Sequence, residues 1–185
     1  MLYTRKGDTG TTKDFNSKPG ERKSKSSCQT EALGALDELG AFLGLVKLKS
    51  VEVVWTVNGG NLADIILWTQ NCLFTVQAEV AGASKRVRQE KVVEMEKWID
   101  WIEKELPPIT TFFISGGTEL AALLDVSRTL ARKAERRVIA GSEVGEFKIE
   151  STTLAFLNRL SSLFYALARL TNHKSGITEQ PPTYK

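Results

Sequence analysis

After residue 27, the apolar positions of the chain recur at the spacing of helices that bury one face. In the first such stretch, Leu36, Leu39 and Leu43 belong to one apolar stripe, and Ser26 stands three residues before Gln29, the spacing of a capping box. Glycine-rich or proline-containing breaks separate the stretches, and Pro107-Pro108 is the sharpest of them. The pattern predicts five helices, over about residues 26–49, 61–81, 89–105, 115–141 and 146–172.

Five helices with short connections predict an all-α fold, a five-helix up-and-down bundle. The only strand-like stretch is TTFFI at residues 110–114. A chain of 185 residues with 42% hydrophobic and 25% charged residues is typical of one soluble domain with a real core. We therefore expect a single domain over 1–185, made of an irregular N-terminal segment (1–25), the bundle (26–176) and a tail (177–185).

The scarcity of histidine and cysteine excludes several kinds of site. His173 is the only histidine, and Cys28 and Cys72 are the only cysteines, so the chain cannot supply a di-iron bundle, most zinc sites or a Ser-His-Asp triad. The two thiols are expected to be reduced. Because the sequence has neither a secretory signal nor the run of about 20 apolar residues that a membrane span needs, we expect a cytoplasmic protein without a membrane partner.

The polar N-terminal segment has the chemistry of an anion site. Residues 1–27 hold seven Lys or Arg and three Asp or Glu, a local charge of +4 in a chain whose total is +3. Gly7 and Gly10, set among threonines, allow backbone N–H groups to turn towards an anion, and Lys6 and Lys13 add charge. The pattern is not a Walker A loop, since the flanking strand and helix are missing. The segment is therefore an anion-binding loop or a disordered N-terminus.

Two polar stripes run along helices four and five. At about 100° per residue, the polar side chains of helix four cover a quarter to a third of its circumference, and those of the mostly apolar helix five recur every three or four residues. Each stripe is explained either by a structural network of ion pairs and hydrogen bonds or by a shared site, and the dominance of arginine favours a phosphate or carboxylate partner. The stripes are Asp125, Arg128, Arg132, Glu135 and Arg136, and Asn158, Ser162, Tyr165, Arg169 and Asn172.

Five sequence blocks, in order and at the right distances, resemble the PduO-type ATP:cob(I)alamin adenosyltransferases. They are YTRKGDTGTT (3–12), GERKSK (20–25), ALDELGAFLGL (35–45), SRTLARKAERR (127–137) and FLNRLSSLFYALARLTNH (156–173), and together they span nearly the whole chain. The resemblance implies a five-helix bundle that assembles as a homotrimer with active sites between subunits. It also implies transfer of the 5′-deoxyadenosyl group of ATP to cob(I)alamin, with Mg²⁺ accompanying the nucleotide, and a possible reductase and cobalamin-dependent mutase as partners.

By position, the resemblance assigns the nucleotide contacts. Arg132 is expected to stabilise charge on the departing triphosphate, and Asn158 to reach the nucleotide or its Mg²⁺. The opening segment is expected to fold over nucleotide bound on helices four and five, and to be poorly ordered without ATP. The full set of ATP-binding residues is Thr4, Arg5, Lys6, Gly7, Asp8, Thr9, Gly10, Thr11, Thr12, Lys13, Lys25, Arg132, Lys133, Glu135, Arg136 and Asn158.

The resemblance also assigns the corrinoid side of the site. Phe112 matches the aromatic residue that packs under the corrin and displaces its lower base, and Phe113 could share that role. Asp37 and Arg128 match a pair formed across the subunit interface. Three positions depart from the family pattern: Ser115 replaces a proline, Asp125 a frequent histidine, and Lys133 an arginine.

Two other functions are compatible with the same predicted nucleotide-binding residues. A kinase or ATPase would need a carboxylate for Mg²⁺ and a base near the γ-phosphate, for which only Asp8 and Glu135 are plausible. A nucleotide-sensing scaffold would bind ATP and form a trimer through helices one and four without turnover. Nucleic-acid binding is disfavoured because helix three carries many acidic residues.

Overall fold

The computed structural model describes residues 3–15 and 17–184, so the parts of the predicted N-terminal segment and tail that fall on Met1, Leu2, Asn16 and Lys185 lie outside the described residues. Within them the chain forms five long helices and four two-residue strands. The helices are α1 (Cys28–Ser50), α2 (Leu62–Val80), α3 (Gln89–Glu105), α4 (Glu119–Glu143) and α5 (Ser151–Lys174). The strands are β1 (Thr11–Thr12), β2 (Lys23–Ser24), β3 (Thr56–Val57) and β4 (Gly60–Asn61).

The helices pack side by side in the order α2, α1, α4, α5, α3. Contacts at the helix ends fix their directions. The Lys49 Nζ at the end of α1 pairs with Glu119 at the start of α4, at 2.9 Å, so these two helices are antiparallel. Lys174 at the end of α5 pairs with Glu105 at the end of α3, also at 2.9 Å, so α3 and α5 are parallel. Thr118, just before α4, binds Asn172 near the end of α5, so α4 and α5 are antiparallel. Gln29 at the start of α1 binds Val80 at the end of α2, so these two are antiparallel as well. The chain therefore alternates in direction, which confirms the predicted up-and-down bundle.

The N-cap of helix α1 is one residue later than predicted. It is Ser27, whose Oγ accepts the Thr30 N–H at 3.2 Å, and not Ser26. The expected capping box is also wrong, because the Gln29 side chain is buried and donates to the Val80 carbonyl at 2.7 Å instead. The carboxylate of Glu146 satisfies two further N–H groups of the first turn, those of Cys28 and Gln29.

The prediction that α5 begins at residue 146 is wrong by five residues. Glu146 is held outside the helix by its bonds to the start of α1, and the Phe147 ring is buried against Gly141. Helix α5 starts where the buried carboxylate of Glu79, on α2, accepts the Glu150 N–H at 2.7 Å and the Thr153 hydroxyl at 2.6 Å. Tertiary contacts, rather than the local pattern, set this boundary.

The strand-like stretch at residues 110–114 does not form a strand in the structure. This stretch has one backbone bond to the tail, from the Ile114 N–H to the Gln180 carbonyl, and no strand pairs with it. The two ladders lie elsewhere, as antiparallel pairs β1–β2 and β3–β4. In the second, Asn58 and Gly59 have φ of 47° and 82°, the tight hairpin turn that Asn-Gly favours.

The hydrophobic core includes residues of all five helices, and Trp68 connects α2 to α3 at its edge. Its ring meets that of Trp98 edge to face at a centroid distance of 4.8 Å. Cys28 and Cys72 are both free thiols, as expected, and Cys72 is buried in this core. In the described part of the chain, no helix has the length and apolar character to cross a membrane.

Candidate functional site

The two polar stripes meet at one pocket of about 630 Å³. It lies between the first half of α4, the second half of α5, the loop that joins α3 to α4, and the tail. Three residues of the α4 stripe and four of the α5 stripe line this pocket, and that the stripes share a binding site stays a prediction. Its lining comprises residues 109–115, Asp125, Arg128, Arg132, Ser161, Ser162, Tyr165, Ala168, Arg169, Asn172 and Glu179.

Arg128 is held on the pocket wall by a network within its own chain. Its Nε lies 3.2 Å from Asp125 Oδ1, one turn earlier on α4, and its Nη2 lies 3.5 Å from the Ser115 hydroxyl. The other Asp125 oxygen accepts the Gly116 N–H at 3.3 Å. Ser115 and Asp125 are two of the three positions where the resemblance implies a different residue, and both contact Arg128; Asp125 also binds Gly116 before α4.

Arg132 is one of the cations that line the pocket. Among the described residues its exposed guanidinium forms no hydrogen bond or ion pair. Arg136, one turn further along α4, is also exposed and equally without a partner in that part of the chain. A guanidinium with no partner in the protein can bind an external phosphate or carboxylate through two parallel hydrogen bonds.

The other predicted nucleotide residues of the bundle are engaged with each other or with α1. Lys133 pairs with Glu38 on α1. Asn158 donates from Nδ2 to Glu135 Oε1 at 3.0 Å and accepts from Arg159 at 2.9 Å. The Asn158–Glu135 bond therefore joins the two stripes about one turn beyond Arg132, which lines the pocket.

The loop over residues 107–118 forms one wall of the pocket and presents its aromatic residues. The Phe112 side chain is 80% exposed, an unusual position for phenylalanine. The Phe113 ring is half-buried and lies 5.2 Å from the Arg169 guanidinium. At the end of the loop, the buried amide of Asn172 accepts the Thr118 N–H at 3.1 Å and donates to the Gly116 carbonyl at 2.8 Å.

Tyr165 lines the pocket together with Arg128 and Arg169. Burial raises the pKa of its phenol above the ordinary value of 10.0, and the nearby carboxylates of Glu179 and Asp125 add to the rise, although Arg169 and Arg128 oppose it. At neutral pH the phenol therefore stays protonated and can donate or accept a hydrogen bond. It has no charge to offer an anion.

The N-terminal segment folds into a compact basic turn. Backbone bonds join Asp8 to Arg5 and Gly10 to Gly7, and the β1–β2 ladder brings Lys25 back to the turn, where its N–H donates to the Gly10 carbonyl at 2.9 Å. The Lys25 ammonium passes 3.2 Å from the place where a Cβ of Gly7 would stand. Lys25 therefore lies in direct contact with the opening loop, at Gly7 and Gly10.

Within one chain, this segment does not lie over the pocket. It is attached beside the start of α1, where Lys23 donates to Gln29 Oε1 at 2.7 Å. That end of the bundle adjoins the end of α4, about 22 Å along the helix from Arg128 at about 1.5 Å per residue. Asp37 is exposed on α1 in a separate cleft next to Phe74, and its predicted cross-subunit pairing with Arg128 stays a prediction.

Three pocket residues have roles that the sequence did not suggest. Arg169 and Asn172 stood out as polar positions on an apolar helix, but the stripe alone did not assign them contacts with the loop. Glu179 lies in a short polar tail whose composition predicts no position in the fold. Only the structure places it against Arg169, at 2.8 Å.

A family model described as cobalamin adenosyltransferase matches residues 2–171, which is most of the chain. The chain belongs to the cobalamin adenosyltransferase family. A corrinoid adenosyltransferase of Bacillus subtilis (strain 168) is 37% identical to it over 180 residues, covering 95% of this chain and 89% of that protein. The human corrinoid adenosyltransferase MMAB is 32% identical over 189 residues, covering 97% of this chain and 72% of the human protein.

A solved structure supports the same family fold. It is a variant PduO-type ATP:corrinoid adenosyltransferase from Lactobacillus reuteri, complexed with cobalamin and ATP. Its TM-score is 0.85 at 28% identity, over 100% of this chain and 97% of that chain. Membership of the family and the five-helix fold, both expected from the five sequence blocks, are thereby confirmed.

Proposed function

We propose that this chain transfers the 5′-deoxyadenosyl group of ATP to cob(I)alamin, producing adenosylcobalamin and triphosphate. The observation that carries the proposal is the pocket between α4 and α5, where the open guanidinium of Arg132 stands next to a loop that exposes Phe112. An anion site beside an apolar surface suits a reaction between a polyphosphate and a large, flat macrocycle. The variant relative from Lactobacillus reuteri, whose structure is complexed with cobalamin and ATP, supports this reading.

The chemistry asks the protein for position and charge rather than for an acid or a base. The electron pair of cob(I)alamin forms the new cobalt–carbon bond at C5′, and the C5′–O bond breaks with its electrons leaving on triphosphate. No proton is transferred in this step. The enzyme must align C5′ with the cobalt and stabilise the negative charge that grows on the leaving group. The Arg132 guanidinium would provide the positive charge that stabilises the departing triphosphate.

The nucleotide is proposed to lie along α4 from Arg132 to Arg136, with the basic N-terminal turn over its phosphates. Backbone N–H groups and cations of the turn would contact the polyphosphate, and Mg²⁺ would enter bound to it. Asn158 would turn its amide oxygen from Arg159 to the nucleotide or its Mg²⁺. The proposed set is residues 4–13, Lys25, Arg132, Lys133, Glu135, Arg136 and Asn158.

The separation of the two halves of the site supports assembly between subunits. In one chain the basic N-terminal turn and Asp37 lie away from the pocket that holds Arg128 and Phe112. A homotrimer would bring the turn of one subunit over the pocket of its neighbour, and would let Asp37 reach Arg128. In that state Arg128 would be shared between Asp37 and its own Asp125. Phe112 and Phe113 would then contact the corrin from the loop.

The proposal is tested by mixing the protein with ATP, Mg²⁺ and chemically reduced cobalamin and following the light-sensitive spectrum of adenosylcobalamin. Product analysis must give triphosphate, since ADP or free phosphate would indicate a kinase or ATPase. Arg132→Ala is expected to lower the rate at least about a hundredfold, because it removes a charge that acts on the leaving group. The protein should remain folded.

Arg137→Ala is the matched control for this test. Arg137 is on the same helix, exposed, and lies 3.7 Å from Glu31 on α1, outside the pocket. Loss of this surface pair should leave the rate within about twofold of the wild type. ATP binding without formation of adenosylcobalamin would overturn the proposed function and favour a sensor. Equal rates for the two variants would overturn the role of Arg132.

A further inference from the structure

The end of α5 carries a buried arginine that touches three separate parts of the pocket wall. Arg169 is only 6% exposed. Its Nε lies 2.8 Å from Glu179 Oε2 in the tail, and its Nη2 donates to the Pro107 carbonyl at 3.3 Å, at the start of the loop. Its guanidinium also faces the Phe113 ring at 5.2 Å. One side chain therefore links α5, the tail and the loop.

These contacts depend on each other, because a buried guanidinium is stable only when it is paired. Glu179 provides the opposite charge, and its side chain is itself mostly buried, at 17% exposure. The tail is further joined to the loop by the bond from the Ile114 N–H to the Gln180 carbonyl, at 2.9 Å. Without the carboxylate of Glu179, the guanidinium would be drawn towards solvent and away from Pro107 and Phe113.

The segment that these contacts hold includes the exposed Phe112. The loop is fixed at its far end by Asn172, which binds Gly116 and Thr118. Its near end and middle have the contacts to Arg169 and to the tail. Phe112 therefore stands between two anchored points, and its position over the pocket depends on both.

We propose that Arg169 is a positioning residue, which pairs with Glu179 of the tail to hold the 107–118 loop in place for binding the corrinoid. The pair acts through Phe112 and Phe113 and does not touch the nucleotide. This inference rests on the proposed function for its substrate, while the link between the pair and the loop stands on the geometry alone.

The test compares Glu179→Gln with Glu105→Gln in the full-length protein. Both substitutions remove a carboxylate that pairs with a basic residue of the last turns of α5, Arg169 or Lys174, at 2.8 and 2.9 Å. Only the first pair contacts the loop. Steady-state assays give KM and kcat for cob(I)alamin and for ATP, and hydrogen–deuterium exchange reports the backbone of residues 107–118.

Glu179→Gln is expected to raise the KM for cob(I)alamin about tenfold, leave the KM for ATP within about twofold, and accelerate exchange at the Ile114 amide, since the buried charge loses its partner. Glu105→Gln should change none of these by more than about twofold. Unchanged exchange in the loop, or equal effects on both substrates, would overturn the inference. If the wild type forms no adenosylcobalamin, the proposed function fails instead, and the exchange data still decide whether the pair holds the loop.

Discussion

The turn before α4 offers a sharp test, because Gly117 has no room for a side chain. A Cβ at this position would stand 2.2 Å from Asn172 Oδ1, and the backbone φ is +104°, which side chains rarely adopt. In Gly117→Ala, the Asn172 amide has to move. It would then lose the bonds to the Thr118 N–H and to the Gly116 carbonyl, which fix the end of the 107–118 loop.

The expected cost has two parts. Backbone strain at a positive φ costs about 1–3 kcal/mol. The displaced amide is buried, so losing its two hydrogen bonds adds about 1–3 kcal/mol. The sum, about 2–6 kcal/mol, should lower the melting temperature by roughly 5–20 °C in a domain of this size. The same movement releases Phe112, so binding of cob(I)alamin should weaken more than binding of ATP.

Gly145→Ala is the matched control. Gly145 also has a positive φ, +77°, but a Cβ there would meet nothing within 4 Å, and it lies in the connection between α4 and α5. It therefore reports the strain alone, about 1–2 kcal/mol, with no preference between substrates. Calorimetry and steady-state kinetics of both variants decide the question. If Gly117→Ala were no less stable than Gly145→Ala, the clash with Asn172 would not be the constraint described here.

Two further predictions concern the N-terminal turn and the core. Trypsin should cut after Lys6 and Lys13 more slowly with ATP and Mg²⁺ than with AMP, which lacks the triphosphate; equal rates would contradict folding of the turn over the nucleotide. Burial raises the pKa of the Cys72 thiol from 9.0 to about 11. The folded state therefore holds this proton more tightly than the unfolded state does. The protonated thiol contributes about 3 kcal/mol to the free energy of unfolding below pH 9, and this contribution is lost between pH 9 and 11. Urea unfolding of Cys72→Ala should show a weaker dependence on pH over that range than the wild type, and parallel curves would refute the assignment.

The sequence determined the helices because their apolar stripes are long and regular. The predicted bounds of α3 match the structure, and those of α1, α2 and α4 agree to within a few residues. Local breaks such as Pro107-Pro108 mark these ends whatever lies around them. The polar stripes of α4 and α5 were also visible in the sequence, because the helical repeat alone fixes which side chains share a face.

Tertiary structure decided the features whose partners are distant in the chain. The start of α5 could not be predicted, since Glu79 and Glu146, from other elements, satisfy the N–H groups of α5 and α1. The pairing of Asp125 with Arg128 is available at i,i+3 spacing, but its bond to Gly116 depends on the path of the loop.

The candidate site shows the same division between features set by the local sequence and features set by distant contacts. The periodicity predicted that Arg128 and Arg132 face one way, but it could not show that Phe112 and the tail close a pocket over them. Glu179 lies in a segment without a helical or strand pattern, so its contact with Arg169 follows only from how the tail packs on α5. Sequence periodicity fixes the face of a helix, and packing fixes which distant segment that face meets.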